Sequence, residues 1–178
     1  MLVPGLYQFF HRHVQQGFGA HGVREPAAVD YVSEMLARFS QTRTLDTVRT
    51  TDGEPVTTIT GLVAEWRHSQ GWDGAPTDRP REALIVRHIG EYSLFMSGLF
   101  RERLTARGQL RYYLEQGRSA FWHCAYYESD PARIRLFRYL YGAFDRVSGA
   151  LHEIRRVQFP LPAGASPVSP LAALWRAP

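Results

Sequence analysis

The sequence contains no lysine and no asparagine, so all 21 of its lysine-plus-arginine residues are arginine. The net charge of +4 and the pI near 9.5 are compatible with a nucleic-acid-binding protein. The arginines are scattered, however, and the longest run is the pair Arg155 and Arg156. A nucleic-acid-binding surface concentrates its basic residues on one face. We therefore expect no nucleic-acid partner and attribute the arginine bias to a GC-rich bacterial coding sequence.

Cysteine and long apolar runs are also scarce. The single cysteine, Cys124, excludes an intramolecular disulfide and a cysteine-rich zinc site. No uninterrupted apolar run approaches the 18 residues that a membrane span requires. The N-terminal stretch "MLVPGLYQFFHRH" lacks the basic and apolar regions of a secretory signal. These absences predict a cytoplasmic protein with no membrane partner.

What is present is helical periodicity. Apolar residues recur at spacings of three and four over residues 6–18, 27–39, 80–100 and 109–128, and from 131 for about 25 residues. A further helix beginning near Pro55 fits the pattern, and it competes with a short β-hairpin near 44–58 around Asp52 and Gly53. The prediction is an all-α, single-domain bundle of five or six helices over residues 1–159. Residues 160–178 form a Pro-rich C-terminal tail.

Local signals predict where several of these helices begin and end. Asp130 and Pro131 have the residue types of an N-cap and a first helical position, and Asp78 or Thr77 suits the cap of the helix over 80–100. The glycine-rich stretch "GFGAHG" over 17–22 predicts the end of the first helix.

The helix over 80–100, which contains "RHIGEYSLFMSGLF", is apolar around most of its circumference. Such helices lie at the centre of a fold. Gly90, Ser93 and Ser97 form a stripe of small residues along it, although glycine within a helix is destabilising by about 0.5–1 kcal/mol relative to alanine. Close approach of another helix would offset this loss. We expect Gly117, in the middle of the following helix, to face the stripe.

His88 and Glu91 lie three residues apart on the same helix face. A buried carboxylate needs a partner, because an unpaired charge in a core is destabilising by several kcal/mol. Tyr92, Tyr113 and His123 complete the set of candidate ligand-binding residues. The partners considered for Glu91 are His88, Arg87, Arg111, Arg118, Tyr112, Tyr113, Tyr126 and Tyr127.

Four interpretations of this cluster compete. His88, Glu91 and His123 are the candidates for a metal site, but a second Glu-x-x-His pair, as in helical di-iron proteins, is absent. His88 or His123 is a candidate axial ligand to haem. His88 oriented by Glu91 is a candidate acid–base pair. A polar network that only fixes helix packing is the interpretation we favour, and it predicts no metal and no cofactor.

"RHIGEYSLFMSGLF" followed by "YYLEQGRSAFWHCAY" resembles a pattern found in uncharacterised helical bacterial proteins. In that pattern, a helix with His-Ile/Leu-Gly and Leu-Phe motifs precedes a helix with paired tyrosines, a glycine and an alanine. The resemblance covers residues 80–128. It implies that the two helices form one unit, and it implies no activity.

No complete catalytic motif is present in the sequence, which favours a non-enzymatic function. Aromatic residues are 13% of the chain, and the tail carries Trp175. These features predict a protein that binds a protein partner or forms a homodimer. The alternative is a ligand- or metal-binding protein or an enzyme, with its pocket between the helices at about 80–100 and 109–128. Cys124 shares an apolar stripe with Phe121, so we expect a buried thiol rather than a nucleophile.

Overall fold

The computed structural model describes residues 4–40, 47–71, 74 and 76–158. These residues form seven helices and no strand, which confirms the all-α prediction. The prediction was five or six helices, and the helix that it did not include is the short α5. In chain order the helices are α1 (Pro4–Ala20), α2 (Pro26–Phe39), α3 (Ile59–Ser69), α4 (Arg79–Leu99), α5 (Arg101–Ala106), α6 (Leu110–Tyr127) and α7 (Pro131–Gln158).

Helix starts follow the capping residues in the sequence. The carboxylate of Asp78 accepts a hydrogen bond from the amide of Arg81 at 3.0 Å and begins α4. Asp130 accepts one from the amide of Ala132 at 2.9 Å and begins α7. Both caps satisfy amides that would otherwise lack a partner in the first helical turn.

The central element is α4, which packs against α3, α5, α6 and α7. Fourteen of its 21 residues are buried, as the apolar sequence predicts. Its small residues allow close contact: a Cβ added at Gly117 of α6 would lie 2.7 Å from the Cβ of Ser93 and 2.2 Å from Cζ of Phe144. A Cβ at Gly90 would meet the ring of Phe121 at 3.2 Å. The predicted contact between Gly117 and the small-residue stripe is therefore confirmed.

The first helix is longer than the sequence predicts. It spans Pro4–Ala20 rather than 6–18, and it ends within the glycine-rich stretch as predicted but two residues later, beyond Gly19. Gly17, inside the helix, allows close packing against α7, because a Cβ there would lie 2.1 Å from Cγ1 of Ile154. Tertiary contact outweighs the intrinsic helix preference of glycine here.

The region before α3 contains a turn rather than strands in its described part. An isolated antiparallel bridge joins Arg49 and Pro55, and the amide of Val56 donates to the carbonyl of Val48 at 2.9 Å. The hairpin considered for 44–58 is thus reduced to one bridge within residues 47–58. Residues 44–46 and the predicted tail 160–178 lie outside the described residues.

Across the described ranges, every helix is too short or too polar to cross a membrane.

The core that the helices enclose contains an aromatic cluster formed by residues of α2, α6 and α7. The rings of Tyr31, Phe121, Phe137 and Phe144 contact one another with centroid separations of 5.7–6.2 Å. Two members of this cluster border the candidate site: Tyr31 hydrogen-bonds to Glu91, and Phe137 lines the pocket.

Candidate functional site

The carboxylate of Glu91 lies at the centre of the site, and its side chain is 2% exposed. Three donors converge on one of its oxygens, Oε1. They are the hydroxyl of Tyr31 at 2.6 Å, Nη2 of Arg38 at 2.8 Å and Nε of Arg87 at 3.0 Å. Tyr31 and Arg38 belong to α2, so this oxygen links α2 to α4.

The electrostatics keep Glu91 ionised. Burial alone would raise the pKa of its carboxyl, but the charges of Arg38 and Arg87 and the hydrogen bonds from Arg38 and Tyr31 outweigh burial. The pKa of Glu91 therefore lies below its ordinary value. Burial and the neighbouring carboxylate raise the pKa of Tyr31 well above its ordinary value, so its hydroxyl keeps the proton that it donates.

A pocket of about 500 Å³ opens beside this network. Its wall combines charged groups with apolar side chains from α2, α4, α6 and α7. The lining residues are Arg38, Thr47, Ala83, Leu84, Arg87, His88, Glu91, Cys124, Tyr127, Glu128, Arg133 and Phe137. Pockets of this size and mixed lining are typical of small-molecule sites.

A second ion pair, between Arg133 and Glu128, also borders the pocket. Nε of Arg133, in the first turn of α7, lies 2.6 Å from Oε2 of Glu128. The other oxygen of Glu128 accepts the backbone amides of Ser129 and Asp130 at 2.9 and 3.2 Å. Together with the charge of Arg133, these amides hold the pKa of Glu128 below its ordinary value, although burial acts in the opposite direction.

Two arginines that line the pocket, Arg87 and Arg133, each pack on a ring of the aromatic cluster. The guanidinium carbon of Arg87 lies 5.7 Å from the ring centroid of Tyr31, and that of Arg133 lies 5.6 Å from the ring centroid of Phe137. The two rings meet edge to face at 5.7 Å. Stacking on contacting rings restricts where each guanidinium can lie.

No protein-family model, no curated protein and no solved structure matches this chain.

The structure divides the five candidate residues into two groups. His88 and Glu91 line the pocket, and the ring of His88 packs between Phe39, at 5.8 Å, and Tyr92, at 6.2 Å. Tyr92, Tyr113 and His123 are not among the lining residues.

Tyr92 belongs to α4, and Tyr113 and His123 belong to α6. The hydroxyl of Tyr92 donates to the carbonyl of Thr57 at 3.4 Å, and its ring lies 6.2 Å from that of Tyr113. The ring of His123 packs edge to face on Trp66 of α3 at 4.7 Å, and its Nδ1 lies 2.8 Å from the carbonyl oxygen of Ser119. His123 therefore does not bring a second imidazole to Glu91.

Within the described part of the chain, no three His, Cys, Asp or Glu side chains lie close enough together to hold a metal ion. The candidate trio of His88, Glu91 and His123 accordingly does not form such a group. Cys124 lines the pocket but is 4% exposed, and burial raises the pKa of its thiol to about 12. It is therefore not a ready nucleophile at neutral pH.

Sequence reasoning identified Arg87 as a partner of Glu91 but missed Tyr31 and Arg38. Both come from a helix about 50 to 60 residues earlier, and neither carries a local signal of its pairing. It also missed Arg133 and Glu128. The N-cap at Asp130 does fix where α7 begins, so it places Arg133 in the first turn, beside the end of α6. Tyr127, considered as a partner for Glu91, instead donates a hydrogen bond to Glu82.

Proposed function

We propose that this chain is a small-molecule-binding protein, whose ligand occupies the pocket between α2, α4, α6 and α7. The observation that supports the proposal is a cavity of about 500 Å³ whose mixed wall includes the hydrogen-bonded carboxylate of Glu91. Arg38 and Arg87 line this cavity and are already positioned by hydrogen bonds to Glu91 before a ligand enters. Such preorganisation reduces the conformational entropy that binding would lose. The thiol of Cys124 has a pKa raised by burial, and Oε1 of Glu91 is already engaged by protein donors, so the proposal is binding rather than catalysis.

A pocket-filling variant tests this proposal. Ala83 lines the pocket, and Ala83→Phe would occupy part of its volume. A mixture of fluorinated fragments of neutral, positive and negative charge, observed by ¹⁹F relaxation, reports binding without knowledge of the natural ligand. We expect some fragments to bind the wild-type chain and to lose binding in Ala83→Phe.

The matched control is Ala106→Phe, at an exposed position of α5 outside the pocket lining, which should bind the fragments as wild type does. Binding that survives Ala83→Phe would contradict the proposal, as would a complete absence of binders. Circular dichroism of both variants establishes that they keep their helical content.

A second proposal keeps the function predicted from the sequence, which is binding of a protein partner or self-association. It is supported by exposed aromatic side chains on α6 and α7, where Trp122 is 53% and Tyr126 is 69% exposed. The ring of Trp122 lies 5.2 Å from that of Tyr141. Exposed tryptophan and tyrosine are enriched at interfaces.

Sedimentation velocity over a range of concentrations tests self-association. A homodimer that dissociates in Trp122→Glu is the expected result, and Tyr112→Glu on the same helix serves as a comparison. A mass of one chain at every concentration would contradict self-association. Both proposals retain the cytoplasmic location expected from the sequence, which cell fractionation checks.

A further inference from the structure

The charged groups around the pocket are of two kinds, with different roles. Guanidinium groups come from three helices, at Arg38, Arg87 and Arg133, and carboxylates come from Glu91 and Glu128. The question is which of these charges a ligand would meet.

The two carboxylates are engaged with the protein itself. Oε1 of Glu91 already accepts three hydrogen bonds from the protein. Glu128 accepts two backbone amides at one oxygen and the guanidinium of Arg133 at the other. The role of the acids is therefore to hold arginines and a helix start in place. A cationic ligand would have to displace these bonds.

Arg87 and Arg133 are each paired with a carboxylate through Nε, and Arg87 also has a hydrogen bond with the side chain of Tyr31. The carboxylate is that of Glu91 for Arg87 and that of Glu128 for Arg133. A guanidinium has five N–H donors, and the fork formed by its two terminal nitrogens matches the two oxygens of a carboxylate. The side chains of Arg87 and Arg133 are 38% and 44% exposed, so solvent reaches both.

The rest of the lining limits the body of the ligand. Ala83, Leu84 and Phe137 contribute apolar surface, and Leu84 is 48% exposed although it is a large aliphatic side chain. An inorganic anion would leave this surface in contact with water. An organic acid with an apolar body would cover it, and each methylene group buried contributes roughly 0.8 kcal/mol.

We infer that the ligand is a small organic carboxylate, whose carboxylate is bound by the terminal nitrogens of Arg133 and Arg87 and whose apolar body lies against Leu84 and Phe137. This inference rests on the proposed small-molecule function and specifies its ligand class. A singly charged group is favoured over a phosphate dianion, because Glu91 and Glu128 border the same pocket and would repel the second charge.

A series of probes with one body and different head groups tests the inference by calorimetric titration of the full chain. The probes are 3-phenylpropionate, 3-phenylpropanamide, 3-phenylpropylamine and 2-phenylethyl phosphate. We expect 3-phenylpropionate to bind most tightly. Loss of one charge-assisted contact in Arg133→Gln should weaken its binding about ten-fold or more. The amide should bind weakly and change little in that variant.

The matched control variant is Arg118→Gln. Arg118 also pairs with one carboxylate, that of Asp145 at 2.7 Å, and its side chain is 45% exposed, compared with 44% for Arg133, but it does not line the pocket. Arg118→Gln should bind 3-phenylpropionate as wild type does. An equal loss of 3-phenylpropionate affinity in Arg133→Gln and Arg118→Gln would overturn the inference. It would show that the net charge of the protein, and not the position of Arg133, determines binding.

The remaining outcomes separate this inference from the proposed function. Binding of the carboxylate, amide and amine with equal affinity, all lost in Ala83→Phe, would overturn the anion inference and leave the binding pocket in place. Tighter binding of the amine or of the phosphate would overturn the carboxylate class in the same way. Absence of binding by every probe and every fluorinated fragment would overturn both the ligand class and the pocket.

Discussion

Replacement of Glu91 by glutamine should destabilise the protein strongly, although the two side chains have nearly the same shape. Glutamine can still accept a hydrogen bond at one oxygen, but it removes the negative charge that Arg38 and Arg87 share. Breaking a fully buried ion pair is destabilising by about 3–5 kcal/mol. The arginine side chains are 31% and 38% exposed, so water partly replaces the lost partner. We therefore expect a decrease in the free energy of unfolding of about 2–3 kcal/mol.

Urea unfolding followed by circular dichroism measures this difference. A loss of about 2–3 kcal/mol corresponds to a decrease in Tm of about 4–12 °C for a chain of this size. The matched control is Glu115→Gln, because Glu115 also pairs with an arginine four residues earlier on its helix, at 2.7 Å. Its side chain is 55% exposed, and that of Arg111 is 91% exposed, so no resolvable change is expected. A Glu91→Gln variant as stable as Glu115→Gln would refute the reasoning.

The same variant should alter how stability depends on pH. The folded pKa of Glu91 lies below its ordinary value of 4.5, so the unfolded chain binds more protons between those two pKa values. The stabilisation is complete above pH 4.5 and is lost as the pH falls through the folded pKa. Consequently, the difference between wild type and Glu91→Gln should be largest near neutral pH and should narrow in acid. A difference that widens in acid would contradict the ionised state assigned to Glu91.

Two further predictions concern packing and reactivity. Gly117→Ala should lower stability by about 1–3 kcal/mol in urea unfolding, because its Cβ would overlap Phe144 and Ser93. Gly142→Ala, with no side-chain neighbour within 4 Å, should raise stability by about 0.5–1 kcal/mol, and a loss there would contradict the packing argument. Cys124 should react with iodoacetamide far more slowly in the folded chain than in urea, since burial raises its pKa to about 12. Equal rates would refute its burial.

Local sequence signals predicted most of the helices, because those signals act between residues that are close in sequence. The capping residues Asp78 and Asp130 act on amides within the next three residues, so their effect is visible in the sequence itself. The burial of α4 was predictable because a helix that is apolar around most of its circumference has no stable position at the surface. The contact between α4 and Gly117 was predictable for a similar reason. Glycine within a helix lowers its stability, and close packing of another helix offsets that loss.

The candidate site was predicted only in part, because its geometry depends on contacts that are distant in sequence. Glu91 and Arg87 are one helical turn apart, so their pairing follows from helix geometry. Tyr31 and Arg38 reach Glu91 because α2 crosses near α4, and no periodicity in either helix predicts that crossing. His123 faces Trp66 instead of Glu91, since the close packing at Gly117 fixes the rotation of α6 about its own axis.

The sharing of one Glu91 oxygen by side chains from two helices has a consequence for how this protein can evolve. Loss of the carboxylate alone would leave two arginines without their common counter-ion, and loss of Arg38 alone would leave α2 attached to α4 by fewer polar contacts. Single substitutions at these positions are therefore disfavoured, whereas joint replacement by apolar residues of similar volume is tolerated. Relatives of this chain should accordingly keep Tyr31, Arg38, Arg87 and Glu91 as a set or exchange them together.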